Sequence, residues 1–432
     1  MFALLIYRAI LLLLLPLLLL ALLFRSITNS SYRKRFSERL GFFPKTADTQ
    51  KNNKGGIIVH AASVGEIIAL TPFVEKLLQQ YPHLPITVTT FTPTGSAQVK
   101  KQFGNRVQHS FLPLDIYPCT QLFLSHLQPK LMIFMETELW PNLIRQCVTK
   151  DIKLLLINGR LSTNSMKSYN KIRPLIKPTL NYFNKILCQS QDNLINFIQL
   201  GAKAELCEMS GNLKFDISIN TSTSEKQAKL AELLPAHRKI WLVASTHQGD
   251  EEIALAAFKA IKKSFPQLLL VIVPRHPERF GAVAKLCTGK GYSLSKRSEN
   301  TVVTIQDIWL LDTLGELMAA YALADIVTMG GSFSNIGGHN PLEPALFKKP
   351  IIVGNDMSNF KEILAQLKFK QGITQLSSTN KNDDIEQLAQ AVTNLLEDNE
   401  AAILLGVQAH QVVLSNQGAS AHTLAQVQEL MT

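Results

Sequence analysis

Two stretches hold residue types that could do chemistry. "HAASVGE" (residues 60–66) ends a short apolar run with a glutamate, a group that can accept a proton. "GGSFSNIGGHNPLEP" (residues 330–344) puts four glycines, two asparagines, one histidine and one glutamate directly behind another apolar run. Glycine lets backbone approach a ligand closely, and a helix beginning afterwards would aim free N–H groups and partial positive charge at it. This stretch therefore reads as an anion site. Gly331, Ser332 and Phe333 would offer backbone to a phosphate, and Glu343, followed by Pro344 at a good first helical position, could accept from vicinal ribose hydroxyls. The spacing is neither GxGxxG nor GxxxxGK[ST], so neither dinucleotide nor ATP γ-phosphate chemistry is indicated.

Other candidates stand at the ends of other apolar runs. After a small-residue turn through Ser63, Gly65 and Glu66 open a helix, where a glutamate more often complements the helix dipole than serves as a base; the dipole is expected to lower its pKa. Thr94, Gly95 and Ser96 follow the next run and alone are ordinary capping chemistry. Glu136 and Glu138 could orient a substrate hydroxyl or a cation, or be solvated. Arg275 and His276 sit between two prolines, where an arginine can grip a phosphate or carboxylate with two hydrogen bonds. Ser245 and Thr246 are possible phosphate or sugar contacts ahead of a helix. His247 with Asp250 and Glu251 lacks a second histidine at ligand spacing, so no metal site is expected.

Alternating short apolar runs and longer amphipathic segments position these groups, the pattern of βαβ units with parallel sheets. Strands are expected over residues 56–60, 86–91, 131–135 and 153–157, then 240–244, 268–274, 326–329 and 350–353. Residues 211–226 lose the apolar period and read as a linker. The expected division is a membrane anchor (1–24), a first Rossmann-like domain (25–210) and a second (211–432), with a cleft between the two and ligands beyond the strands' carboxyl ends.

The amino terminus differs in kind. Residues 9–24 are all apolar, and residues 2–7 extend the run to a spanning length interrupted only by Arg8. No small-x-small cleavage site follows, so a retained anchor is expected. Arg25, Arg33, Lys34, Arg35, Arg39 and Lys45 flank it on one side, which predicts an N-out, C-in topology with the body in the cytoplasm. Through Lys45 there are seven Lys or Arg and one acid, so +6 of the net +11 lies here, suited to anionic lipid headgroups. A basic chain also suits nucleic acid, but no basic and aromatic interleaving supports that partner. Five scattered cysteines form no CxxC pair and suggest neither a disulfide framework nor a zinc site.

Taken together, "HAASVGE", "TFTPTGS", "ETELWPN", "NGRLS", "GNLKFD", "STHQGDEE", "PRHPERF", "DTLGEL" and "GGSFSNIGGHNPLEP" resemble, in order and over nearly the whole chain, the 3-deoxy-D-manno-octulosonic acid (Kdo) transferases. One departure is Gly159 in "NGRLS", where the family is expected to carry alanine. The resemblance implies a GT-B glycosyltransferase fold: α/β, two Rossmann-like domains and an N-terminal transmembrane helix. It implies an inverting transfer of Kdo from CMP-Kdo to the lipid A precursor at the inner membrane, with no cofactor and no metal. Carried over by position, it makes Glu66 the general base. It assigns donor binding to Arg275, His276, Gly315, the 331–333 backbone, Asn335, Asn340 and Glu343, with Asn212 and Lys214 at the hinge. Glu136, Glu138 and Arg160 fall on the acceptor side. An epimerase-like sugar-nucleotide enzyme and a membrane-tethered nucleotide-binding regulator are the other readings of the same pattern.

Overall fold

The computed structural model describes residues 2–43, 54–219, 221–235, 237–377 and 380–432; Lys45 of the expected basic flank and Asn220 of the expected linker lie outside them. The chain forms two compact units, Met1–Asp216 with Asn416–Thr432, and Ile217–Ser415. In the first, β1 (Ile57–His60), β2 (Ile86–Thr90), β3 (Gln108–Phe111), β4 (Leu131–Met135), β5 (Lys153–Gly159), β6 (Lys185–Cys188) and β7 (Cys207–Met209) pair in the order β3-β2-β1-β4-β5-β6-β7. In the second, β8 (Ile240–Thr246), β9 (Leu269–Pro274), β10 (Leu294–Lys296), β11 (Ile308–Leu310), β12 (Ile326–Met329), β13 (Ile351–Val353) and β14 (Thr374–Gln375) pair in the order β10-β11-β9-β8-β12-β13-β14. Both sheets are parallel throughout.

Alternation drives the packing of the first sheet. Ile57, Val59, Leu131, Ile133, Met135, Leu155 and Ile157 enter one core layer, while Ile58, Met132, Phe134, Leu154 and Leu156 enter the opposite one. Each such side chain contributes about 1.5–3 kcal/mol by leaving water, so strands apolar at every position are held on both faces. All eight expected strands are present, with ends shifted by one or two residues. The six unforeseen ones are mostly short and carry polar residues, such as Gln108 and His109 in β3 or Ser295 and Lys296 in β10; near a sheet edge the apolar signal is diluted.

The expected domain boundary at 210/211 moves to Asp216. Leu213 and Phe215, inside the expected linker, are 1% exposed, and residues 221–226 open the helix Thr221–Ala231. The last helix, Ala419–Met431, belongs to the first unit rather than to the second: the Asp216 carboxylate accepts the N–H of Gly418 at 2.7 Å and that of Ser420, and Val427 joins the first unit's core.

Among the described residues one helix, Phe2–Thr28, is long and apolar enough to cross a membrane. The sequence put Arg8 on the far side of a bilayer from the body. Instead Arg8 Nε donates to Asn142 Oδ1 at 2.7 Å and Tyr7 hydroxyl to Asp115 Oδ2 at 2.9 Å, both acceptors in the first α/β unit.

Replacing Asp216 by alanine removes both anchors of the last helix; the expected loss is about 1–3 kcal/mol, seen as a lower denaturant midpoint and faster amide exchange confined to Ala419–Met431.

Candidate active site

Each sheet has a switch point, between β1 and β4 and between β8 and β12, where connections leave in opposite directions. Glu66, Glu136 and Glu138 gather at the first of these points. Ser63 caps the helix Val64–Gln80 by accepting from Glu66 N at 3.3 Å, and Glu66 answers by accepting from Ser63 Oγ at 2.7 Å and Ala62 N at 2.9 Å. These two bonds fix the carboxylate. The dipole was expected to lower its pKa; the opposite holds. Burial raises it, the bonds from Ser63 and Ala62 only partly offset that, the Glu138 charge raises it further and His60 acts against it.

Glu136 follows β4 with φ 59°, a left-handed backbone that costs a non-glycine residue about 1–3 kcal/mol. Burial and the Glu66 charge raise its pKa, while Lys214 and Arg160 pull the other way. Glu138 accepts from Trp140 Nε1 at 3.0 Å and lies 3.6 Å from His60 Nε2. Thr137 hydroxyl donates to the Arg160 carbonyl, tying the β4 and β5 ends together. Asn158, left-handed at φ 51°, accepts from Leu213 N at 2.9 Å, and Asn212 caps its own turn by accepting from Lys214 N at 3.0 Å. Asn212 and Lys214 belong to the first unit, where Lys214 acts on Glu136 and Asn212 Nδ2 donates to Gln189 Oε1 at 3.2 Å, whereas the sequence had counted them with the second domain. Thr94 and Ser96 stand in the first turn of the helix Pro93–Phe103, which Thr92 caps: Thr94 hydroxyl donates to Thr92 Oγ1 at 3.1 Å and Ser96 Oγ pairs with His109 Nδ1 at 3.3 Å. Gly95 N donates to Thr92 Oγ1 at 3.1 Å.

The second unit builds a cationic, glycine-lined end. A register shift in β8 sets Ser245 at φ 54°, and a Cβ on Gly330 would come within 2.6 Å of the Ser245 carbonyl. Only glycine fits there. Gly331 sits at φ 72° with its N–H donating to Asp250 Oδ2 at 2.7 Å; the same oxygen accepts from His247 N at 2.7 Å. One carboxylate thus joins the β8 and β12 loops, and burial pushes it up to about 6. Ser332 hydroxyl donates to the Met329 carbonyl at 2.6 Å and accepts from Gly354 N at 2.8 Å, so its side chain braces the loop, while Phe333 packs on the core. Asn335 is exposed at φ 55° on the loop tip.

Thr246, expected to touch donor, is buried and donates to Glu251 Oε1 at 2.7 Å. Arg279 grips the fully buried Glu251 with contacts of 2.6 and 3.1 Å. That pair fixes the "PRHPERF" turn, leaving Arg275 and His276 exposed beyond β9. His247, His276 and His339 meet there: His247 and His339 Nε2 atoms are 2.9 Å apart, and the His247 and His276 rings 5.3 Å. Burial, then Arg275, then the other histidines push His339 down to about 4. Glu343 lies on the helix Leu342–Leu346, where Pro341 rather than Pro344 leads and Asn340 accepts from Leu342 N at 3.2 Å. This helix is five residues long and separated from Gly331 by a turn, so side-chain cations, rather than the dipole the sequence suggested, carry most of the positive field. Burial pushes Glu343 up to about 7, against the pull of Arg275 and hydrogen bonds with Tyr321 and Asn340. Gly315, at φ 81°, offers its carbonyl to Lys226 Nζ at 2.8 Å.

Sequence reasoning missed His60, Asp250, Arg279, His339 and Lys226 as site-building residues. Their local signal is polar identity alone, Lys226 lying inside the helix Thr221–Ala231, and their partners lie up to 92 positions away. Among the described residues no group of three or more His, Cys, Asp or Glu side chains is placed to hold a metal ion.

Two doubly wound units with acids at one switch point and a basic glycine loop at the other define a two-domain GT-B glycosyltransferase. Residues 34–217 match the family of 3-deoxy-D-manno-octulosonic-acid transferases, and residues 247–411 match the glycosyl transferases group 1. A 3-deoxy-D-manno-octulosonic acid transferase of Haemophilus influenzae is 41% identical over 96% of this chain and 95% of its own; one from Rickettsia felis is 33% identical over 80% and 77%. A UDP-GlcNAc 2-epimerase of Neisseria meningitidis shares the fold at TM-score 0.57 and 14% identity, over 87% of this chain and 100% of that one. The chain belongs to the Kdo transferase family.

Because Glu343 binds its proton more tightly when folded, it favours the folded state at low pH and loses that advantage as pH rises from about 4.5 to about 7. Relative to Glu343→Gln, the native chain should lose melting temperature progressively between pH 5 and pH 8, measured by calorimetry; parallel curves would refute the placement.

Proposed function

We propose that this transferase moves Kdo from CMP-Kdo to a sugar hydroxyl of the lipid A precursor, lipid IVA, during lipopolysaccharide core assembly, with inversion and without a metal or other cofactor. The observation that carries the reading is the Glu66 carboxylate, held by Ser63 and Ala62 at a switch point and raised in pKa by burial. A base poised above the ordinary carboxylate range is better matched to proton transfer near neutrality.

In this mechanism the acceptor oxygen attacks the anomeric carbon of Kdo while Glu66 takes its proton. The new carbon–oxygen bond forms as the bond to the CMP phosphate breaks, and CMP leaves with the electron pair. Arg275 and His276, with the 331–333 backbone, stabilise charge growing on the leaving phosphate. Glu343 and Asn340 suit the ribose hydroxyls. Lys214 and Arg160, which draw the Glu136 pKa down, suit anionic groups of the acceptor. The apolar first helix and the basic residues after it support attachment to inner-membrane lipids with the catalytic units in the cytoplasm. Nucleic acid has no part in this reading. The shared fold of the epimerase supports the architecture alone, so it does not favour epimerisation.

Glu66→Gln should lower kcat by about 10²- to 10⁴-fold while calorimetric CMP affinity stays unchanged; full turnover would refute the base. The rate of the native enzyme should fall as pH drops through the raised Glu66 pKa. Glu138→Gln removes a like charge, so the acid limb of its pH–rate profile should move to lower pH.

A further inference from the structure

The first helix is fastened to the first unit near its start and near its end. Ala3, Leu4, Tyr7, Arg8, Leu11, Leu15, Leu18, Leu19, Leu22 and Ser26 are its more buried positions, and at 3.6 residues per turn they fall on one face. Near its start, Tyr7 and Arg8 hydrogen-bond Asp115 and Asn142, and the Arg8 guanidinium lies 4.7 Å over the Tyr117 ring. Near its end, Leu22 packs with Leu114 and Ile116, and Arg33 Nε donates to the Ser26 carbonyl at 2.9 Å. The polar side chains Tyr7, Arg8 and Ser26 all lie on this packed face. The opposite face is apolar throughout: Phe2, Leu5, Ile6, Leu13, Leu17 and Leu20 are each at least 45% exposed.

A helix about 40 Å long whose two ends are fastened to the same water-soluble sheet domain cannot put those ends on opposite sides of a bilayer. We infer that the helix lies in the plane of the membrane, its outer apolar face entering the acyl layer of one leaflet and its inner face fastened to the first α/β unit. The occupant of that face is an anionic lipid surface. A water-soluble protein does not leave so continuous an apolar stripe bare, and Arg33 and Lys34 directly after it suit acidic headgroups. This inference deepens the membrane attachment proposed above and rests on it.

The test places a cysteine on a Ser-Gly-Ser extension ahead of Met1 and, separately, at Ser30→Cys, in the full-length protein. Each is probed with a membrane-impermeant maleimide in right-side-out and inverted vesicles, and the modified peptide is read by mass spectrometry. An in-plane helix exposes both sites in inverted vesicles and neither in right-side-out ones. Modification of the extension only in right-side-out vesicles, with Ser30→Cys reached only in inverted ones, would establish a spanning helix and overturn the inference. Both sites reached only from outside would support the in-plane helix but reject the cytoplasmic location. Recovery of the chain in the soluble fraction would reject both the inference and membrane attachment. As a second measure, Leu13→Glu with Leu17→Glu should reduce binding to phosphatidylethanolamine–phosphatidylglycerol vesicles by at least about tenfold with the melting temperature unchanged; undiminished binding would overturn the lipid-facing assignment.

Discussion

Burial of the parallel strands on both faces is the constraint from which the rest follows. With Leu131–Met135 enclosed at all five positions and β8 buried throughout, neither sheet face has room for a ligand. Polar chemistry is pushed to the strand ends. It concentrates where two connections diverge, because there the covering helices separate. Glu66 and Glu136 at one such point, and Ser245 and Gly331 at the other, occupy those places for the same geometric reason.

Backbone distortion then turns strand ends into sites. Glu136, Asn158 and Ser245 adopt left-handed conformations, and irregular register occurs in β5 beside Asn158 and in β8 beside Ser245. Each turns the chain sharply where an ideal strand would run straight. The surrounding hydrogen bonds hold these conformations: Asn158 takes the Leu213 N–H, and Asp250 takes those of both His247 and Gly331. Strain in one place is thus offset by hydrogen bonds made close by.

Electrostatics divide the two units. The first holds carboxylates in partly buried positions, and burial first, with repulsion among their charges after it, raises Glu66 and Glu136. The second unit buries His247 and His339 beside arginines, and burial first, then the neighbouring positive charge, lowers both. Arginine supplies the lasting positive charge, and the neutral imidazoles can both donate and accept hydrogen bonds.

The sequence by itself determined the α/β class, eight strands, the acidic and glycine-rich strand ends and the apolar helix, because each rests on local periodicity or on residues adjacent in the chain. Only the tertiary structure decided that Glu66 is raised rather than lowered, since burial and the Glu138 charge come from another strand. It also turned Thr246 and Ser332 inward as braces, returned Ala419–Met431 to the first unit through Asp216, and tied Arg8 to Asn142. These outcomes depend on hydrogen bonds and desolvation between residues 5 to 204 positions apart, quantities that no local pattern encodes.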